Sequence, residues 1–285
     1  MIARRGLPLS ALCLALAGCP AVLPPSLRDA TLRPGDLPAS VDELAKLAEE
    51  ESRKETVPSE ENVLVAVDRG LQLDGRAVEL LWRGARACAW LTEEFGDKQR
   101  RASFAQKGVD YSRRAVEIDP KRVEAYYYLG INLGQSATTK TVGAYSMVPK
   151  VVKAGEAAMK LDERFDHAGP ARLIGTVYAK APPWPASIGD IDEGIKYLAR
   201  AVELAPDYPQ NHLHYGDALT VDNKLDEAER EYKLVLDAQV PAEWTHRAER
   251  WKRDAAIGMK KVAEKRADTR RPPCRRVRDG AAVAL

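Results

Sequence analysis

The chain has 285 residues, 45% hydrophobic and 30% charged, with 19 Gly and 18 Pro, an ordinary globular composition that excludes disorder throughout and collagen-like or low-complexity architecture. Aromatic content is 6%, which favours helices over a sandwich or barrel built from aromatic and β-branched strands. The 44 basic and 42 acidic side chains leave +2, too little for a dedicated nucleic-acid binder.

Residues 1–18 read as an address rather than as part of the fold. Arg4 and Arg5 precede an apolar run from Gly6 to Ala17, followed by Gly18 and Cys19. This is the basic, apolar, small-residue order of a secretory signal, and its apolar run is too short for a permanent bilayer span. Leu16-Ala17-Gly18-Cys19 resembles the lipobox of bacterial lipoproteins, which implies a diacylglyceryl group on the Cys19 thiol and cleavage before it. At about 0.8 kcal/mol per buried CH₂, two or three acyl chains anchor a protein firmly where one holds it only marginally. Pro20 follows Cys19 where an Asp would signal inner-membrane retention, so the resemblance implies an envelope protein facing the periplasm, at the outer rather than the inner membrane. Residues 19–38, with Pro24, Pro25, Pro34 and Gly35, then predict an extended tether.

Ser40 caps a predicted amphipathic helix to Ser52, and residues 60–73 and 77–95 predict two more around the Asp74-Gly75 turn. In the latter, Leu80, Leu81, Ala85, Cys88, Ala89 and Leu91 fall on one face, so Cys88 reads as a small buried hydrophobe. Cys13 would leave with the signal and Cys274 lies in a basic tail. No disulfide framework and no zinc spacing results.

From residue 116 onward the chain repeats itself. Val116-Glu117-Ile118-Asp119-Pro120 leads to Tyr126-Tyr127-Tyr128-Leu129-Gly130; Met159-Lys160-Leu161-Asp162 leads to Leu173-Ile174-Gly175; Val202-Glu203-Leu204-Ala205-Pro206 leads to His212-Leu213-His214-Tyr215-Gly216. These residues resemble the tetratricopeptide repeat. Pro120 and Pro206 would end helices, Gly130, Gly175 and Gly216 would permit close helix approach, and Ala115, Ala158 and Ala201 would serve the same end on the second helices. The glycines are 45 and 41 residues apart, against about 34 for a regular repeat, so residues 134–145 and 181–190 are expected as insertions. Residues 224–238 predict a partner helix, 242–265 a capping helix, and 266–285 a basic disordered tail. The expected fold is an all-α tetratricopeptide solenoid over residues 39–265. Residues 19–264 carry 35 basic and 40 acidic side chains, net −5, offset by +5 over residues 265–279.

Residues 77–236 also resemble the lipoprotein T component (TatT) of tripartite ATP-independent periplasmic (TRAP) transporters, and are similar to the tetratricopeptide domain of regulators of microtubule dynamics. The resemblance rests on Leu81-Trp82-Arg83, Leu129-Gly130-Ile131-Asn132, the Lys180-Ala181-Pro182-Pro183-Trp184-Pro185 loop, and the Ala205-Pro206 turn leading to Pro209, Asn211 and His212. The lipobox favours the bacterial family. That resemblance implies a scaffold docking a periplasmic solute-binding protein and presenting a small apolar ligand; an envelope assembly or secretion scaffold is the alternative.

Trp184 is the candidate contact residue, although Asp190 and Glu193 also read as a helix cap that would favour packing of this loop. Tyr126 is expected to fill the repeat's large-residue slot, with Tyr127 or Tyr128 and Asn132 facing the concave groove. His212 and His214 sit about 200° apart on a helix and cannot share a metal, and His212 reads as a hydrogen-bonded core residue. No nucleophile elbow, phosphate loop or metalloprotease helix occurs, and Glu93-Glu94 and Asp226-Glu227 read as solvated charges. The expectation is a protein-binding scaffold with no enzymatic activity, no cofactor, metal or nucleic acid, and with homo-oligomerisation left open.

Overall fold

The computed structural model describes residues 26–140 and 143–270, so Cys19, the signal segment and residues 271–285 lie outside the described residues. Among the described residues eleven α-helices follow one another: α1 (Val41–Ser52), α2 (Val57–Leu73), α3 (Val78–Glu94), α4 (Lys98–Ile118), α5 (Val123–Thr139), α6 (Val148–Leu161), α7 (Phe165–Lys180), α8 (Ile191–Leu204), α9 (Pro209–Val221), α10 (Leu225–Asp237) and α11 (Thr245–Arg270). Neighbours in sequence pack as antiparallel pairs, α1 with α2 through α9 with α10, and α11 closes the array against α9 and α10. The odd-numbered helices also contact one another from pair to pair and so form the inner layer. Among the described residues there is no strand, only an isolated bridge between Pro183 and Gly189. The fold is an all-α helical solenoid of tetratricopeptide type.

Local chemistry starts the helices where capping residues stand. The Ser40 hydroxyl accepts from the Glu43 amide, Thr56 from Ser59, Asp97 from Arg100, and Asp190 from both Asp192 and Glu193. Packing then joins the pairs. Leu44, Leu64, Leu80, Leu81, Leu91 and Phe104 are fully buried at the N-terminal end, and Tyr232, Trp251, Val235 and Val262 make the C-terminal core. Cys88 lies in the first of these, fully buried, and burial pushes its thiol up out of the reactive range.

The repeat glycines stand where helices nearly touch. A Cβ on Gly175 would lie 2.9 Å from the Gly194 carbonyl oxygen and 3.0 Å from the Leu198 amide nitrogen, both backbone atoms of α8. On Gly130 it would meet Leu173 at 2.6 Å. Ala115, Ala158 and Ala201 are fully buried, as their repeat positions require.

Several boundaries differ from the sequence reading. Residues 134–139 are not part of an insertion: α5 runs on to Thr139, and Asn132, Leu133 and Ser136 are buried along it. Residues 26–38 are not a free tether throughout. The amides of Asp29 and Ala30 donate to the Glu61 carboxylate, and those of Thr31 and Leu32 to Asn62, while Leu27 and Leu37 rest on the first core. At the other end α11 continues to Arg270, because Arg266 pairs with Glu229 and Asp226 on α10; the expected tail therefore begins with helix.

At the start of α7, Asp166, His167 and Ala168 have φ of 46°, 54° and 62°, three successive left-handed residues without a glycine. Such conformations cost roughly 1–3 kcal/mol each and persist only where the surroundings over-determine them. The Arg172 guanidinium supplies that restraint, donating to the Asp166 and His167 carbonyls and to the Asp166 carboxylate at 2.8 Å.

Candidate functional site: the inner wall of the solenoid and the Trp184 loop

Three tyrosines in succession cannot share one environment on a helix, and Tyr126, Tyr127 and Tyr128 each stand in a different one. Tyr127, not Tyr126, is the packed residue: it is 3% exposed, whereas Tyr126 is only half-buried. The Tyr127 ring lies against the Gly169 backbone, edge-on to Phe165, and its hydroxyl donates to Asp166. Asn132 is fully buried, with its amide donating to the Ala85 and Tyr128 carbonyls. Neither Tyr127 nor Asn132 is available to a partner, which corrects that expectation. Tyr128 is partly exposed, and burial raises its hydroxyl above the usual tyrosine range.

Behind Tyr127 runs a buried polar network. Arg172, 5% exposed, donates to Asp166, to the Tyr127 hydroxyl at 3.1 Å and to Asn211 Oδ1 at 2.8 Å, and Asn211 donates back to the His167, Ala201 and Ala205 carbonyls. His167 stacks on Tyr208 at 4.3 Å, and Trp244 meets both rings edge-on. These hydrogen bonds hold α5, α7 and α9 together. His212 likewise is 7% exposed, with one ring nitrogen 2.6 Å from Glu231 and the other 2.6 Å from the Pro206 carbonyl. Burial opposes its charge, but those two acceptors outweigh burial and raise its pKa.

The inner face of α1 to α3 is charged. Glu49 accepts from Arg83 and Arg86, and Glu60, 2% exposed, accepts from Ser52 at 2.9 Å while its Oε2 has no partner. Burial drives the Glu60 carboxyl up to about 7, against the pull of Arg86. From the far end of the chain, α11 reaches this face: Arg247 pairs with Glu55, and Arg250 with Glu94 at 2.7 Å and with Glu93 at 3.2 Å. His246 stands 6.2 Å from the Trp90 ring. Glu93 and Glu94, expected as free surface charges, are thus ion-paired across the groove. The groove that a helical solenoid offers to peptides is bridged here by its own last helix.

A separate cavity of about 220 Å³ lies among α7, α8, α9, α10 and α11. Leu198, Ala218, Val221 and Tyr232 supply apolar wall, and the Thr176 hydroxyl and His214 Nδ1 face no partner there. Burial, with the charges of Lys180 and Arg172, lowers the His214 imidazole to about 3, which keeps it neutral.

Trp184 is 85% exposed, so its indole does not pack the loop, contrary to the favoured reading. The loop beneath it is nevertheless fixed. The Gly189 amide donates to the Pro182 carbonyl, Ala186 and Ser187 donate to Pro183, Asp190 donates to Tyr178, and a Cβ on Gly189 would strike the Ala181 oxygen at 1.9 Å. The Trp184-Pro185 peptide is cis.

The residues that build the inner wall were not legible as a site. Arg86 and Arg172 did carry a signal, each being a charge set within an apolar helical stripe. Arg247 and Arg250 carried none, because only the superhelix brings them to α3. Among the described residues no group of His, Cys, Asp or Glu is arranged to hold a metal ion.

Residues 39–145 match the family model of the regulator of microtubule dynamics protein 1-3, a span covering α1 to α5. No curated protein sequence matches the chain. Among solved structures, TTC0263, a thermophilic TPR protein of Thermus thermophilus, is similar with a TM-score of 0.58 at 15% identity, covering 76% of this chain and 100% of that one. The MamA protein is similar with a TM-score of 0.46 at 17% identity, covering 70% and 98%, and the yeast Tom70 with 0.29 at 13%, covering 87% and 71%. The first of these shows a shared tetratricopeptide fold.

Proposed function

We propose that the chain is a protein-binding scaffold and that the Trp184 loop is a principal contact with its partner. The observation that carries this reading is an indole 85% exposed on a loop whose backbone is tied down on both sides. Tryptophan is highly buried on average, and it is enriched among the few residues that dominate protein interfaces. A fixed loop loses little conformational freedom when the indole is covered, so more of the burial energy is left for binding.

The finer reading is of a lipid-anchored, periplasm-facing accessory of a transport system like the TRAP T component, docking a solute-binding protein. Its support is the Leu16-Ala17-Gly18-Cys19 sequence for the anchor, and the Lys180–Pro185 loop and Asn211-His212 turn for the family resemblance. The 220 Å³ cavity is where a small, largely apolar ligand would sit.

Trp184→Ala tests the contact. Thermal stability should stay within about 0.5 kcal/mol of the parent, as for other exposed substitutions, while co-purification of the partner from solubilised envelope is lost. Retained co-purification would refute the contact. Cys19→Ala should move the chain from the membrane to the soluble fraction; retention after a salt wash would refute the anchor.

A further inference from the structure

The two ends of the solenoid meet through side chains alone. No Cα of α11 comes within 8 Å of a Cα of α1, α2 or α3, yet Arg247 reaches Glu55 and Arg250 reaches Glu93 and Glu94, the last pair being 156 residues apart in sequence. The Arg250 and Glu93 side chains are 29% and 52% exposed, so water and salt reach the bridge. The ion pairs can therefore be broken while α11 stays packed on α9 and α10 through Ala248 and Trp251.

The wall underneath is incompletely satisfied. Glu55 Oε2, Glu60 Oε2, Arg86 Nε and the Trp90 indole nitrogen are all buried and unpartnered, and Glu55 and Glu60 are 9% and 2% exposed. Arg247 lies near enough to both carboxylates to act on Glu60 as well as Glu55. Glu55, Glu93 and Glu94 thus pair with two arginines spaced i, i+3 on one helix, with Glu60 under the charge of Arg247 and the Trp90 indole beside His246.

We propose that this wall is a docking site for a basic helical segment of a partner protein, with arginines one turn apart, and that Arg247 and Arg250 of α11 occupy it in the free chain as an intramolecular stand-in. The charge of the wall selects the class: a cationic segment gains ion pairs with Glu55, Glu93 and Glu94, whereas an acidic or wholly apolar one would leave buried carboxylates without partners. The wall exposes its carboxylates only when the stand-in leaves, so partner and α11 compete for it. This site is separate from the Trp184 loop, and either can fail without the other.

A labelled synthetic peptide of residues 244–258, followed by fluorescence anisotropy on the purified chain, tests the proposal. The Arg247→Ala/Arg250→Ala variant should bind it about tenfold more tightly than the parent chain, since its wall is vacated, and binding should weaken by about tenfold between roughly 50 and 500 mM salt. Adding Glu93→Gln and Glu94→Gln should abolish it. The proposal is overturned if the helical variant binds no better than the parent, or binds a peptide with both arginines changed to glutamine equally well. If the double variant loses its helical circular dichroism, Arg250→Ala alone, at a partly exposed position, decides by the same comparison.

Discussion

Glu60 shows how one buried carboxyl can set a pH dependence. Its ordinary value of 4.5 is raised to about 7 by burial, so across that interval the native chain holds the proton more tightly than the unfolded chain does. Stability falls as pH rises through the interval, and the penalty is complete above about 7. Glu60→Gln, which keeps the shape and removes the charge, should raise the melting temperature on the order of 5 °C at pH 8 and leave it nearly unchanged at pH 4, by differential scanning calorimetry. An equal gain at both pH values would contradict the assignment. His212 adds stability of the opposite origin: its raised pKa means its contribution is whole below the ordinary value of 6.5 and fades as pH climbs through the folded one. His212→Gln should flatten the decline in stability above neutrality. Single-residue environments were only partly legible. Cys88 could be read as buried from its apolar setting and His212 from its place in the repeat, but which of Tyr126, Tyr127 and Tyr128 packs depended on where α7 crosses, which no local pattern encodes.

At the scale of the element, helix starts and repeat glycines were legible because short-range chemistry fixes them. Ser40 and Asp190 cap as their positions imply, and Gly130, Gly175 and Gly216 each face a neighbouring helix or side chain at under 3 Å. Gly175→Ala is expected to cost about 1–3 kcal/mol in urea denaturation, since besides Leu198 Cγ the atoms in the way are the α8 backbone at Gly194 and Leu198, which cannot turn aside. A loss below about 0.5 kcal/mol, the ordinary scatter of neutral changes, would mean α7 and α8 are not in contact there. The helix ends were less legible, and in each case tertiary contacts overrode composition. Residues 134–139 read as loop from their polar, Gly- and Ser-containing run, but Ser136 is buried and Gln135 donates to the Ala89 carbonyl of α3. Residues 29–32 read as tether, but the side chains of Glu61 and Asn62 satisfy four of their amides. The left-handed turn at Asp166–Ala168 has only a weak local signal, Asp and His that tolerate this region and Gly169-Pro170 behind them, and it is held because Arg172 collects its carbonyls. Arg172→Met should cost about 3–5 kcal/mol, the range for breaking a buried charge pair from one side.

For the whole molecule, stacking of helix pairs follows from the repeat pattern, whereas closure of the solenoid does not. The pattern predicts neighbours; the accumulated turn that returns α11 to α3 is a sum of small rotations between pairs. That return bears on the proposed function: with the groove bridged, the exposed Trp184 is the contact that the proposal assigns to the closed chain. Placing a photo-crosslinking phenylalanine analogue at position 184, with Leu73, 44% exposed on α2, as the comparison site, tests this most directly in intact cells. A single discrete adduct at position 184 and none at position 73 is the predicted result. No adduct at position 184 in a chain of parental stability, or the same adducts from both positions, would contradict a scaffold that engages its partner through this loop.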